Sequence, residues 1–163
     1  MEKLLLSSFL EIFDEVYIGP QNDNVWVVDR DPGLGFIDVI RTVSAEDASK
    51  SFYTGGSTLA GHTEHLRWSL NFALTYLRGK QPDTDWSKSW AIKTVNEAEW
   101  GNLQLALQNE YIAMRDTVEQ ITDWSNPFTL KGVLALLPHA AYHLGSIKQK
   151  LLYLKGVSND VHV

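Results

Sequence analysis

Apolar residues recur at steps of three and four along four stretches of this chain, and each stretch predicts a helix. In residues 2–18, Leu5, Phe9, Ile12 and Val16 form the stripe, Leu4 and Phe13 widen it, and Gly19-Pro20 stops it. Residues 57–78 form the second helix, opened by Gly55-Gly56-Ser57 and closed near Gly79. The third has the cleanest stripe, Trp100, Leu103, Leu107, Tyr111, Met114, Val118 and Ile121, behind a capping box at Thr94–Glu97. The fourth runs from about residue 128 to 155, with Ser125-Asn126-Pro127 as its start signal and Gly156 as its end. Pro138 falls inside it and crowds the carbonyl of Leu134, which predicts a kink or a junction of two helices.

The pattern breaks over residues 20–55. Two β-rich runs, NVWVVD and FIDVI, flank an Asp-Pro-Gly turn. They predict either a short hairpin or an irregular crossover that lays Trp26 and Phe36 over the end of the helices. Ser44–Asp47 adds a capping box for one short turn. In the loop of residues 79–94, Trp86 and Trp90 read as packing anchors. The expected fold is all-α: a four-helix bundle with a long crossover connection, in a single domain spanning residues 1–163.

Composition narrows the chemistry. With 44% hydrophobic and 21% charged residues the chain reads as an ordinary soluble protein. A net charge of −6 with scattered Lys and Arg argues against nucleic acid. The apolar run at the N-terminus is short and interrupted by acidic residues, so no signal or membrane segment is expected and the location is read as cytoplasmic. No cysteine is present, so a transition-metal site has to use His and carboxylates.

The histidines supply that option. His139 and His143 stand four apart and share a helix face. They resemble the paired ligands of HExxH helices, with Ala140 where the glutamate would be. In the second helix, His62 falls near the centre of the apolar stripe and His65 on its flank, in line with Trp68, Phe72 and Tyr76. Both point inward, and the helical wheel does not choose between them. Several inward imidazoles on two helices ask for a shared partner, because an unpaired buried polar group costs about 1–3 kcal/mol. His162, in the C-terminal tail, reads as solvated.

The stretches GGSTLAGHTEHLRW and HAAYHLGSI resemble the DinB/YfiT-like family of four-helix-bundle metalloproteins. In that family a Gly-Gly-x-Thr helix start precedes a metal-binding His seven residues after the Thr. The last helix carries H-x-x-x-H, a hydrophobic residue and commonly Gly-Gln-Ile. Here Gly55-Gly56-Ser57-Thr58 is followed by His65, and His139 and His143 by Leu144-Gly145-Ser146-Ile147, with Ser146 in the place of the Gln. The resemblance implies that His65, His139 and His143 hold one divalent ion, zinc or nickel. It puts His62 in a slot the family fills with a hydrophobic residue, where packing is the favoured role over a substrate contact or support of a ligand. It also implies a metal that activates the sulfur of a low-molecular-weight thiol, as in the family's S-transferases and isomerase, although many members have no assigned activity.

Three neutral imidazoles leave a coordination position open, as in catalytic rather than structural zinc sites. Candidates for a general acid or base are Tyr142, His62 and a crossover carboxylate, Asp29 or Asp38. Trp68 and Trp26 are candidates to wall a pocket. The leading expectation is a metal-dependent S-transferase acting on a small molecule. The competing ones are a metal-dependent hydrolase and a non-catalytic, metal-stabilised bundle. A homodimer is expected from spare apolar faces.

Overall fold

The computed structural model describes residues 2–30, 33–51 and 53–159, and His162 lies outside them. Among these residues there is no strand. Six α-helices follow in order: α1 Glu2–Ile18, α2 Phe36–Arg41, α3 Ala45–Ala48, α4 Leu59–Leu77, α5 Glu97–Glu119 and α6 Pro127–Asn159. A 3₁₀ helix at Trp86–Trp90 lies between α4 and α5. Of the long helices, α4 packs against α5 and α6, and α1 packs against the same two.

The core follows the predicted stripes except at the start of α1, where Leu4 and Leu5 are exposed. Phe9, Phe13 and Tyr17 of α1 are buried, and the rings of Phe13 and Tyr17 pack against Tyr111 of α5. Beside them the Tyr111 hydroxyl donates to Asp14 at 2.6 Å, and the Arg115 guanidinium reaches the same carboxylate at 3.1 Å. Trp100, at the start of α5, donates its indole N–H to the carbonyl of Val43 at 2.8 Å.

The crossover contains no hairpin. The amides of Trp26, Val27 and Val28 donate to the buried carboxylate of Glu15 at 2.8, 2.7 and 2.9 Å. Those N–H groups are therefore committed to α1 and not to a partner strand. FIDVI instead winds into α2, which buries Phe36, Ile37, Val39 and Ile40 together, whereas a strand would turn alternate residues outward. Close backbone approach holds the crossover on α1. Gly19 takes a left-handed conformation, φ 81°, and a Cβ on Gly35 would overlap the backbone of residues 17–19.

Three boundaries differ from expectation. α5 is capped by Asn96, whose side chain accepts from Glu99 N while Glu99 reaches back to Asn96 N, two residues beyond the predicted box. α6 continues past Gly156 to Asn159. It also runs through Pro138 as one helix, so the two-helix alternative does not hold. Pro138 is exposed, which leaves the orphaned Leu134 carbonyl on a solvated face. At the other end Asn126 accepts from Phe128 N, as its start signal predicted.

Candidate metal centre

The start of α4 is built to bring the chain that follows it back across its own first turn. Thr58 is the N-cap: its hydroxyl accepts from Gly61 N at 3.1 Å and donates to the Lys93 carbonyl at 2.9 Å. A Cβ on Gly61 would sit 3.2 Å from the Ile92 carbonyl, so this glycine permits the close passage of residues 90–93. That passage lays Trp90 over two histidines of α4. It stacks on His65, ring centroids 4.3 Å apart and 19° from parallel, and meets His62 edge-on at 5.4 Å.

His62, His65 and Ser69 share one face of α4, and His139 and His143 one face of α6. The two faces meet. His65 Nε2 lies 3.0 Å from His139 Nε2, which lies 3.1 Å from His143 Nε2. All three ligand atoms fall within 4.8 Å of one another. A tetrahedral ion with bonds of about 2.0–2.1 Å sets its donor nitrogens ~3.3 Å apart, close to both short spacings.

Hydrogen-bond partners assign the tautomers. Ser89 Oγ donates to the Trp86 carbonyl at 2.7 Å, so it accepts from His65 Nδ1 at 2.8 Å, which leaves His65 Nε2 bare. His139 Nδ1 faces Ser69 Oγ at 3.2 Å. His143 Nδ1 lies 2.7 Å from His62 Nδ1, and His62 Nε2 lies 2.9 Å from Ser57 Oγ. Each Nδ1 thus has a group that can accept its proton, and each Nε2 points at one shared spot. Metal-bound histidines are held in this way, by a second group on the other nitrogen.

The same geometry is a poor fit to metal-free neutral rings. With His65 Nε2 bare, its contact needs a proton on His139 Nε2, and that single proton cannot also complete the contact to His143. Protonating a ring is unfavourable, since burial pulls His65 down to about 4 and His143 to about 3, neighbouring imidazoles adding to the effect. Burial also lowers His139, and takes His62 to about 4 with help from the charge of Lys150. A cation at the shared spot would satisfy both contacts.

Other expected residues fall elsewhere. Tyr142 is 68% exposed, its ring set edge-on to His143 at 5.1 Å. Asp29 pairs with Lys148 and Asp38 with Arg41, both away from the histidines. Glu64 is bound by Arg67 through two bonds of 2.7 and 2.8 Å. Ser146 donates to the Tyr142 carbonyl of its own helix. The pocket wall expected of Trp68 and Trp26 comes instead from Trp86, while Trp90 covers the histidines. Trp26 is 68% exposed, and the indole N–H of Trp68 is buried with no hydrogen-bond partner. His62 (5% exposed) is more than packing, because it carries the hydrogen bond to buried His143 (3%).

The sequence pattern does not single out Ser57, Ser69 or Ser89 as partners of the histidines. Ser69 could have been found, since it follows His65 by one turn on the same face. Ser89 is set by a loop whose path the sequence does not reveal. A cavity of about 430 Å³ opens beside the centre, between α4 and α6, with His65, Ser69 and His139 at one end. No protein-family model, curated protein or solved structure matches this chain.

Proposed function

We propose that the chain binds one divalent metal ion through His65, His139 and His143 and acts as a metal-dependent enzyme. The observation that carries this reading is the convergence of three Nε2 atoms, each with its Nδ1 facing a hydrogen-bond partner. The four long helices would then form a bundle of the DinB/YfiT kind, consistent with the motifs at residues 55–65 and 139–147. Zinc and nickel both suit an all-imidazole donor set. When bound, the ion would supply Lewis acidity, drawing a thiol or a water toward its ionised form.

Among the described residues only the three histidines form a cluster of ligating type, with no carboxylate among them. That favours thiol activation, in which the ion itself stabilises the thiolate, over hydrolysis, which also calls for a group to carry protons. The S-transferase reading therefore leads, with a small electrophile as acceptor. Metal content by mass spectrometry on purified protein tests the base of the proposal, with His143→Ala alongside. About one zinc or nickel per chain, lost in the variant, supports it. No metal after reconstitution with either ion sinks it. A loaded protein that shows no reaction with electrophiles and added thiols would leave a metal-stabilised bundle.

A further inference from the structure

The cavity beside the histidines limits what can approach them. Its volume of about 430 Å³ lies within the ~300–1,000 Å³ of small-molecule sites. His65 and His139 close one end, while buried His143 lies outside the lining, backed by His62. The open side of the centre therefore faces the cavity. Phe72 and Trp86, ring centroids 5.0 Å apart, form one aromatic wall, and Tyr76 and Phe128, at 5.1 Å, another further out. No Asp, Glu, Lys or Arg lines it, and beyond the His65 and His139 imidazoles and the Trp86 indole its polar side chains are the hydroxyls of Ser69, Tyr76 and Thr129. Away from the His65–His139 end, a carboxylate or ammonium placed inside would lose water and meet no charged side chain in return.

We infer that the small-molecule reactant held in this cavity is uncharged and hydrophobic, with an aromatic or branched body along α4 and α6. Its one reactive or electron-donating atom lies at the His65–His139 end. A zwitterionic thiol with charged groups along this lining does not fit here, so in a transfer reaction the cavity takes the acceptor. The placement of the reactive end rests on the metal reading; the character of the body rests on the cavity alone.

Gly132 provides the test, since it lines the cavity and a Cβ there meets nothing within 4 Å. Binding of 1-naphthol and of 1-naphthoate to the full chain is measured by calorimetry, after chelator treatment and again with zinc added. In chelator-treated protein 1-naphthol binds and 1-naphthoate binds at least ~10-fold more weakly. Gly132→Phe weakens 1-naphthol by at least ~10-fold through filling the space and leaves zinc stoichiometry unchanged. Ala135→Phe, at a second lining position, does the same if Gly132→Phe melts early. No naphthol binding, equal binding of the carboxylate, or naphthol affinity untouched in a folded variant each overturns the inference. Failure to load zinc with the naphthol pattern intact removes the metal reading and supports the cavity assignment.

Discussion

Replacing His62 by leucine isolates the support given to His143. The wild-type ring lies 2.7 Å from His143 Nδ1 and 2.9 Å from Ser57 Oγ, placed to accept from the one and donate to the other. Both imidazoles are buried, so water is poorly placed to substitute for the lost acceptor. Losing the partner of a ligating histidine typically weakens metal binding ~10–100-fold, equivalent to ~1.4–2.7 kcal/mol. Burial places the expected effect toward the upper half of that range. The assay is zinc affinity by competition with a chromophoric chelator at neutral pH, with thermal melting of the metal-free protein as control. Leucine leaves the buried His143 ring nitrogen without its partner, a cost of about 1–3 kcal/mol, so the metal-free variant should melt below wild type yet remain folded. His62→Gln, which can accept from one side and donate to the other, should recover part of the affinity. An affinity for zinc within twofold of wild type in a folded His62→Leu protein would refute the reasoning, because His143 would then be oriented by something else.

Further outcomes follow from the fold. Glu15→Ala should cost about 2–3 kcal/mol in urea unfolding and speed hydrogen exchange at residues 26–28, since three amides lose a charged acceptor; unchanged exchange there would contradict this. Burial first, then the bond to Asp14, push the Tyr111 hydroxyl well above its ordinary 10.0, and burial raises Tyr17 likewise. The unfolded chain ionises both tyrosines near pH 10 and the folded chain does not, so stability is full below pH ~10 and falls as pH rises beyond it. Tyr111→Phe should flatten part of that alkaline slope in pH-dependent melts. Pro138→Ala should raise stability by up to ~3 kcal/mol, because it restores a helix hydrogen bond at an exposed position; a lower melting point would show that the proline serves the packing of α6.

Much of this was legible where one side chain's environment repeats every turn. The stripe of Trp100, Leu103, Leu107, Tyr111, Met114 and Val118 is buried throughout, and the ends of α1 match the apolar run and its Gly-Pro stop. The pair His139–His143 was legible for the same reason. The helical wheel does not choose His65 over His62, since both point inward and differ only in which nitrogen meets which neighbour; only the resemblance of residues 55–65 to the DinB/YfiT-like motif points to His65. FIDVI misled because four of its five residues are β-branched or aromatic and fit either period, and the deciding fact, the engagement of the 26–28 amides by Glu15, comes from another element. Trp86 and Trp90 read as anchors in the sequence, but what Trp90 packs against depends on Gly61 letting residues 90–93 pass close to α4.

The hold of Glu15 on the crossover has a consequence for variation. A carboxylate that grips backbone amides is blind to the side chains those residues carry. Trp26 and Val27 are exposed, so nearly any residue can replace them without loosening the segment. Val28 is buried and must stay apolar. Proline alone is barred at all three, because it has no amide hydrogen to offer. The segment is thus a place where labels or new surface chemistry can be introduced while the path of the crossover toward α2 is kept.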